Sequence, residues 1–373
     1  MGVADSEQLE TDAERLRTWQ QAGFAAEMQY MQRSPELLSS PAAILPGARS
    51  VVTVALFYDR APVSPLPPDH GRVARYAWGR DYHKVLRRRL EQLVALVRSE
   101  QGLSSLEARV FSDSVPLLER ALGRKSALGF VGKSTMLIMP GRGTFFFLGE
   151  IIWDVDVRGS GSRAEDRRMH CGSCQSCMSE CPTQAFVGER VLDAGRCISY
   201  LSIEKRGVLS LQERRMLGEW IFGCDVCQEV CPFNVVPLKK KLSADVPELG
   251  REAGVGPSLP LAEVLGMRDG AAFERKFAGT ALMRAKREGL LRNAAVVAAN
   301  RGVLGLETEL LEASRADSSA IVRRHALWAY SEILSLQGGK AKARMLKRLQ
   351  EAQADPDSGV VTEAREILAQ LPN

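Results

Sequence analysis

Eight cysteines carry the chemistry that can be read directly from this chain: Cys171, Cys174, Cys177, Cys181, Cys197, Cys224, Cys227 and Cys231. The first four read C-x2-C-x2-C-x3-C-P and close at Pro182; the last three read C-x2-C-x3-C-P and close at Pro232. A run of this kind binds cubane iron–sulfur clusters, and its fourth cysteine, just before proline, ligates the partner cluster. Applied to both halves, the crossed rule assigns Cys171, Cys174, Cys177 and Cys231 to one 4Fe–4S cluster. Cys181, Cys197, Cys224 and Cys227 go to a second, and no cysteine is left over. Zinc sites use separated cysteine pairs instead, and a disulfide framework belongs to short secreted chains. The spacing therefore predicts electron transfer through two clusters.

The elements that must hold these thiols follow from composition and periodicity. The chain has 373 residues, 45% hydrophobic and 25% charged, with a net charge of +5. These values describe a globular protein with room for two or three domains. No apolar run reaches the ~18 residues of a membrane span. The polar, acidic stretch from Met1 to Trp19 lacks the features of a signal peptide, so a cytoplasmic protein with reduced thiols is expected.

Ala13 to Met31 has helical spacing broken at Gly23, and Pro41 to Pro46 reads as a turn. Ser50 to Tyr58 is a buried strand, Pro62 to Pro68 a proline-rich loop, and Tyr82 to Val97 a helix striped by Leu86, Leu90, Leu93 and Val97. Arg87, Arg88 and Arg89 fall on that helix's solvated face. Ala108 to Phe111 and Phe145 to Trp153 are further strands, with a helix over Leu117 to Leu122. Alternating elements up to residue 157 predict an α/β domain. A polar linker, 158–168, leads into the cysteine-rich segment.

After Pro232 the pattern turns helical. Leu291-Arg292-Asn293-Ala294 is faintly echoed by Arg323-Arg324-His325-Ala326, a shorter period than the ~40–47 residues of HEAT or armadillo repeats. A helical solenoid is the reading for 275–373. Arg275, Lys276, Arg284, Lys286, Arg287 and Arg292 cluster there, as do Lys340, Lys342, Arg344, Lys347 and Arg348. Such clusters can track phosphates. Trp220 and Trp328 are expected in the core rather than stacked on bases.

Several stretches together resemble one family, epoxyqueuosine reductase. They are GFAAEMQYMQR (23–33), ARYAWGRDYHKVL (74–86), SDSVPLLER (112–120), GFVGKSTMLI (129–138), CGSCQSCMSECPTQAF (171–186), DAGRCISYLSIEKRG (193–207), GEWIFGCDVCQEVCPFN (218–234) and GTALMRAKREGLLRNAA (279–295). The split second half, with CISYLSIEKRG ahead of GCDVCQEVCP, is the specific part. The chain departs from the family at Ser134, where Asn is usual, and at Ser112-Asp113-Ser114, where Val-Asp-Thr is common. The family's opening strand is also reduced to Met1-Gly2-Val3-Ala4.

The resemblance implies an α+β multidomain protein. Residues 1–157 form an α/β cobalamin-binding catalytic domain, 158–240 a ferredoxin-like two-cluster domain, and 241–373 a HEAT-like helical domain that holds tRNA. It implies reduction of epoxyqueuosine to queuosine at the tRNA wobble position. Base-off cobalamin, as cob(I)alamin, would be fed by the two clusters from an external low-potential donor, with the protein a monomer. Asp113 matches the family's catalytic aspartate; the alternative for it is a cap on the helix beginning near Val115. Tyr58, Tyr82, Lys133, Ser134, Ser199 and Tyr200 are expected corrin contacts, with the Cys181–Cys197 cluster nearer the cobalt. The motif of histidine-on cobalamin binding is absent around Asp81-Tyr82-His83, so His83 is expected to be an ordinary helix residue. Gly132-Lys133-Ser134 fails the full P-loop frame because position 127 is Ala. Lys205, Arg206, Lys286, Arg287, Arg292, Arg323 and Arg324 are the expected tRNA phosphate contacts. The rival readings are a reductive dehalogenase-like enzyme and a ferredoxin-type electron carrier. The first lacks a twin-arginine leader here, and the second leaves the residues before Cys171 unexplained.

Overall fold

The computed structural model describes residues 1–58, 65–102, 105–157, 170–239 and 244–371. The linker expected at 158–168, the start of the proline-rich loop at 62–64 and the side chain of Lys340 lie outside the described residues. The chain packs as two compact units. One comprises Met1–Pro62, Trp78–Cys197 and Asp225–Gly254; the other comprises Val63–Ala77, Ile198–Cys224 and Val255–Asn373. Both cross the boundaries expected near 157 and 240, because buried polar side chains tie distant segments together within each unit.

The first unit is built on a four-stranded sheet of Gly2–Asp5, Ser50–Phe57, Phe146–Trp153 and Ala108–Phe111, in that order. Every pairing is antiparallel. The short opening segment does form a strand, with Gly2 opposite Thr53 and Asp5 opposite Ser50. The two long central strands are rich in β-branched and aromatic residues, which suit a pleated buried surface. Neighbouring side chains on a strand point to opposite faces, so Ile151 and Ile152 serve two cores. Ile151 packs with Val52, Leu90, Val94 and Trp153 beneath the helix Tyr82–Gln101. Ile152 packs with Val51, Phe111, Leu117 and Leu122 beside the helix Glu119–Lys125. The long helix starts where the Asp81 carboxylate accepts the His83 N–H, and it ends at Gly102, φ +63°.

The second half of the cysteine motif is fastened into this unit by a buried network. The Thr144 N–H donates to Asn234 Oδ1 at 2.8 Å, and the Thr144 hydroxyl donates to Gln228 Oε1 at 2.8 Å. Asn234 Nδ2 donates to Gln228 O at 2.7 Å, and Gln228 Nε2 to Asp225 Oδ1 at 3.1 Å. Pairing these polar groups removes the cost of burying them. The backbone carrying Cys227 and Cys231 is thereby fixed against the Gly143–Thr144 turn. Gly143, at φ +87°, leaves room for this, since a Cβ there would lie 2.0 Å from Asn234 Oδ1.

The second unit is mainly helical, with a small sheet of Trp220–Phe222, His70–Val73 and Ser258–Pro260. Helices Lys286–Asn300, Ala320–Ser335 and Ser358–Gln370 pack in sequence, and Glu307–Ala316 and Gly339–Ala352 lie against them. The faint sequence echo has a structural use: Asn293 and His325 both reach back to the segment between the two cysteine halves. Asn293 Nδ2 donates to Ser202 O and Ile221 O at 2.7 and 2.9 Å. His325 Nε2 accepts the Leu209 N–H at 3.0 Å, with Nδ1 2.7 Å from Ile321 O. One ring nitrogen accepts and the other donates, which is a neutral imidazole. Burial pushes His325 well below its ordinary value, in agreement.

Candidate active site and cluster thiols

Asp113 lies two residues beyond the strand Ala108–Phe111, with φ +51°. This is the left-handed region, which Asp tolerates better than most residues with a side chain. The following helix begins only at Glu119 and has no side-chain cap, so Asp113 is not serving as a cap. Its carboxyl is 70% exposed and accepts the Tyr82 hydroxyl at Oδ2, 2.7 Å away. The same oxygen is 3.9 Å from His83 Nε2. His83 Nδ1 in turn sits 2.8 Å from Asp81 Oδ1, and that contact is the main reason Asp81 is held below its ordinary value. The Tyr82 ring stacks on Phe147 at 4.1 Å and 5°, and Phe147 meets Tyr58 at 4.7 Å. Tyr58, Tyr82 and Asp113 therefore share one aromatic-floored group. His83, expected as an ordinary helix residue, is part of it.

Behind Asp113 lie two further carboxyls that sequence reasoning missed. The Asp113 N–H donates to Glu119 Oε1. Glu150, opposite Thr53 and Phe111 in the sheet, is fully buried, and neither carboxyl oxygen meets a partner in ordinary hydrogen-bond geometry. Burial, and then the nearby Asp113 charge, push Glu119 up to about 8. Burial and the adjoining Glu119 carboxyl push Glu150 up as well. The available signal was a single Glu in the otherwise apolar strand FFLGEIIW.

Lys133 and Ser134 are buried and serve a different place. The Lys133 N–H donates to Cys171 Sγ at 3.4 Å, and its ammonium lies 2.7 Å from Glu189. The backbone passes close because residue 132 is glycine: a Cβ there would lie 3.5 Å from Cys171 Sγ and 2.5 Å from Ile138 Cδ1. Cys171 and Cys231 pack together around Phe130 and Ile138. Burial pushes the Cys177 thiol up, and neighbouring Cys171, Cys231 and Cys174 add to the shift. Cys231 rises for the same first reason, with Cys171 and Cys174 adding. Cys174 is lowered, chiefly by the Ser176 hydroxyl. Cys171, Cys174, Cys177 and Cys231, from both halves of the motif, thus lie near enough to feel one another's charge, and such a donor set suits a cubane cluster. Of the other four, Cys181 is buried and accepts the Ala185 N–H at 3.4 Å.

The expected phosphate contacts need correction. Arg292 is 1% exposed and donates to Leu201 O, Lys205 O and Gly207 O. Burial, then the nearby Arg206, pull its guanidinium down to about 10. Arg292 is therefore an anchor for 201–207 rather than a phosphate contact. Arg287 pairs with Asp317, Arg323 with Asp355 at 2.7 Å, and Arg324 with Glu363 at 2.7 Å. Lys205 lies 3.1 Å from Glu213. These cations are already matched by acids. Arg206 and Lys286 are exposed and line one cleft with Gly207 and Gly289. Lys286 has φ +60° and ψ 166°, a strained region that is nearly reserved for glycine. Trp220 and Trp328 are buried, as core packing requires, and so is Tyr200; Ser199 is partly buried.

Residues 170–234, which span all eight cysteines, match the family model of the 4Fe–4S double cluster binding domain. Residues 39–114, which end just past Asp113, match the model described as epoxyqueuosine reductase QueG. Epoxyqueuosine reductase of Pseudomonas aeruginosa is 37% identical over 341 residues, covering 88% of this chain and 89% of that protein. The chain belongs to the epoxyqueuosine reductase family. This family of oxidoreductases includes solved relatives of the same fold. One is an epoxyqueuosine reductase crystallised with an epoxyqueuosine-modified tRNA-Tyr stem loop, at TM-score 0.86 and 27% identity, covering 99% of this chain and 93% of that one. Another, from Bacillus subtilis, has its catalytic aspartate loop swung out of the active site, at TM-score 0.83 and 26% identity, covering 100% and 94%. Among the described residues no helix is long and apolar enough to cross a membrane.

The Asp113 group also bears on the cofactor that the epoxyqueuosine reductase family implies. The exposed acid adjoins buried, mutually packed Tyr82, Phe147 and Tyr58 rings, an apolar surround compatible with a flat macrocycle beside it. His83 Nδ1 is engaged by Asp81, and its Nε2 lies 3.9 Å from Asp113 Oδ2. The chemistry of this lining is compatible with the corrin that the family implies.

Proposed function

We propose that this chain reduces the epoxide of epoxyqueuosine in tRNA to the alkene of queuosine, with Asp113 supplying a proton to the departing oxygen. The observation that carries this reading is the Asp113 carboxyl: exposed, held at Oδ2 by the Tyr82 hydroxyl, and set on a left-handed backbone. The Tyr82 bond orients the group and leaves Oδ1 to carry the proton. A positioned acid of this kind contributes about 10²–10⁴-fold to rate. Tyr58, Tyr82 and Phe147 would hold cobalamin, which when bound supplies a strongly reducing, nucleophilic metal centre.

Electrons would come from an external low-potential donor through two 4Fe–4S clusters. Cys171, Cys174, Cys177 and Cys231 would hold one cluster; Cys181, Cys197, Cys224 and Cys227 would hold the other. The stacked helices after residue 286 are read as a HEAT-like region that holds tRNA, with Arg206 and Lys286 as its phosphate contacts. The expected protein is a cytoplasmic monomer.

Asp113→Asn tests this reading in anaerobically prepared, cofactor-loaded protein assayed on tRNA carrying epoxyqueuosine. Cluster and corrin absorbance should match the unaltered protein, while turnover falls by about 10²–10⁴-fold. Turnover near the unaltered rate removes Asp113 from the chemistry.

A further inference from the structure

The segment from Phe130 to Ile138 packs against Cys171 and Cys231, and one of its residues brings both a backbone donor and a charge to these thiols. The Lys133 N–H donates to Cys171 Sγ at 3.4 Å. The Lys133 side chain does not turn out to solvent: it is buried, and its ammonium meets Glu189 Oε1 at 2.7 Å. The residue that gives its N–H to the thiol also carries the charge, so the ammonium lies within about one lysine side chain's reach of Cys171.

Two further bonds hold this arrangement. The Arg190 N–H donates to Lys133 O at 3.0 Å, and Arg190 Nε donates to Val131 O at 3.1 Å. They fasten the segment to the hairpin of Phe186–Gly188 and Val191–Leu192, whose turn carries Glu189.

The two charges of the pair are not equivalent. The Glu189 side chain is 49% exposed, against 7% for Lys133. Water and salt screen an exposed charge far more than a buried one. The field that reaches the thiols is therefore that of a cation, with Glu189 offsetting only part of it.

We propose that Lys133 and Glu189 set the reduction potential of the cluster held by Cys171, Cys174, Cys177 and Cys231. The inference rests on the two-cluster part of the reading above. In each one-electron step the external donor is oxidised and the cluster gains one negative charge; no bond is made or broken and no proton moves. A buried cation and an N–H aimed at sulfur both stabilise the added charge, so both make the cluster easier to reduce. Neither side chain ligates iron; both act through the thiolates. Cys181, assigned to the other cluster, receives instead the Ala185 N–H at 3.4 Å and lies 3.5 Å from the Thr183 hydroxyl, both neutral groups. The pair acts on one cluster and not on both.

The test is a redox titration followed by electron paramagnetic resonance, on the full chain prepared anaerobically with its clusters and without cobalamin. Cys177→Ser marks which of the two reduction waves belongs to the Cys171 cluster. Lys133→Met keeps the backbone N–H and removes the charge. That wave should then move to more negative potential, by on the order of tenfold in the reduction equilibrium, or about 59 mV for one electron. Glu189→Gln leaves the cation without its offset, and the same wave should move the opposite way, by a smaller amount that shrinks in high salt. Lys133→Arg should return it close to its unaltered place. The other wave should stay fixed in all three variants. An ion pair that only ties the segment to the hairpin gives no such opposed shifts. Unmoved waves in Lys133→Met and Glu189→Gln, shifts of the same sign, or equal movement of both waves overturn the proposal. If Lys133→Met does not take up its cluster, Glu189→Gln decides alone, since Glu189 is half-exposed. Absence of clusters from the unaltered chain sinks the two-cluster reading and this inference together. Clusters present with no turnover on the tRNA sink only the reductase reading.

Discussion

Two buried polar clusters in this molecule are treated in opposite ways. In the helical unit, Arg214 is 1% exposed and donates to Leu209 O and, through both ends of its guanidinium, to the Glu363 carboxylate at 2.6 and 2.9 Å. Arg324 closes on the same carboxylate. Every charge there has a partner. In the sheet unit, Glu150 is fully buried and neither of its carboxyl oxygens has a hydrogen-bond partner. A satisfied buried network fixes architecture, whereas an unsatisfied group costs stability and persists where it has chemical work. Only the second kind lies behind the exposed acid.

The largest break in this comparison is Arg214→Met. It takes from Glu363 its two-pronged partner and leaves only Arg324, and chemical denaturation should show a loss approaching the ~3–5 kcal/mol of a buried pair cut on one side. Replacing Glu363 with Leu as well should recover most of that loss. An unchanged midpoint in the single variant would show that the pair is not holding the helices together.

A smaller effect separates the two clusters by the sign of their pH dependence. Burial alone would raise Glu363, but Arg214 and Arg324 hold it below its ordinary 4.5. Its contribution is present above that value and lost as pH falls through the lowered one. Glu119 is raised to about 8 and Glu150 is raised as well, so their contribution is full below 4.5 and is lost as pH rises, for Glu119 through about 8. Hydrogen exchange should therefore show acid loosening the helices around Arg214 and alkali loosening the sheet around Glu150. Glu150→Gln should flatten only the alkaline change, because the amide has no proton to lose. The same pH response in both regions would erase the distinction.

The smallest expected effect concerns exposed cations. Arg206→Ala with Lys286→Ala should weaken tRNA binding several-fold and lower the slope of log affinity against log salt by about one per lost contact. Arg323→Ala should leave that slope unchanged, because its guanidinium is paired with Asp355. A drop for Arg323 would return it to the interface.

Much of the site was legible in the chain because cluster ligation and strand formation are local rules. The strand Ala108–Phe111 lies where its β-rich pattern put it, the helix from Tyr82 starts at its Asp81 cap, and the cysteine spacing is itself a ligand geometry. Basic runs were less informative. Lys and Arg read alike in sequence whether they face solvent or, as Arg292 does, replace missing backbone partners in a core.

The sequence by itself determined that this protein has the thiols for two cubane clusters and belongs among the epoxyqueuosine reductases, since cysteine spacing and long motif matches survive without coordinates. The cysteine spacing already paired Cys231 with Cys171; only the tertiary structure decided that Phe130 and Ile138 wall them in. It alone turned His83 toward Asp113, and it alone buried Glu150 with no partner for its carboxyl. Those meetings depend on strand register and on side chains far apart in the chain being buried together, and no local pattern encodes the charge that burial removes.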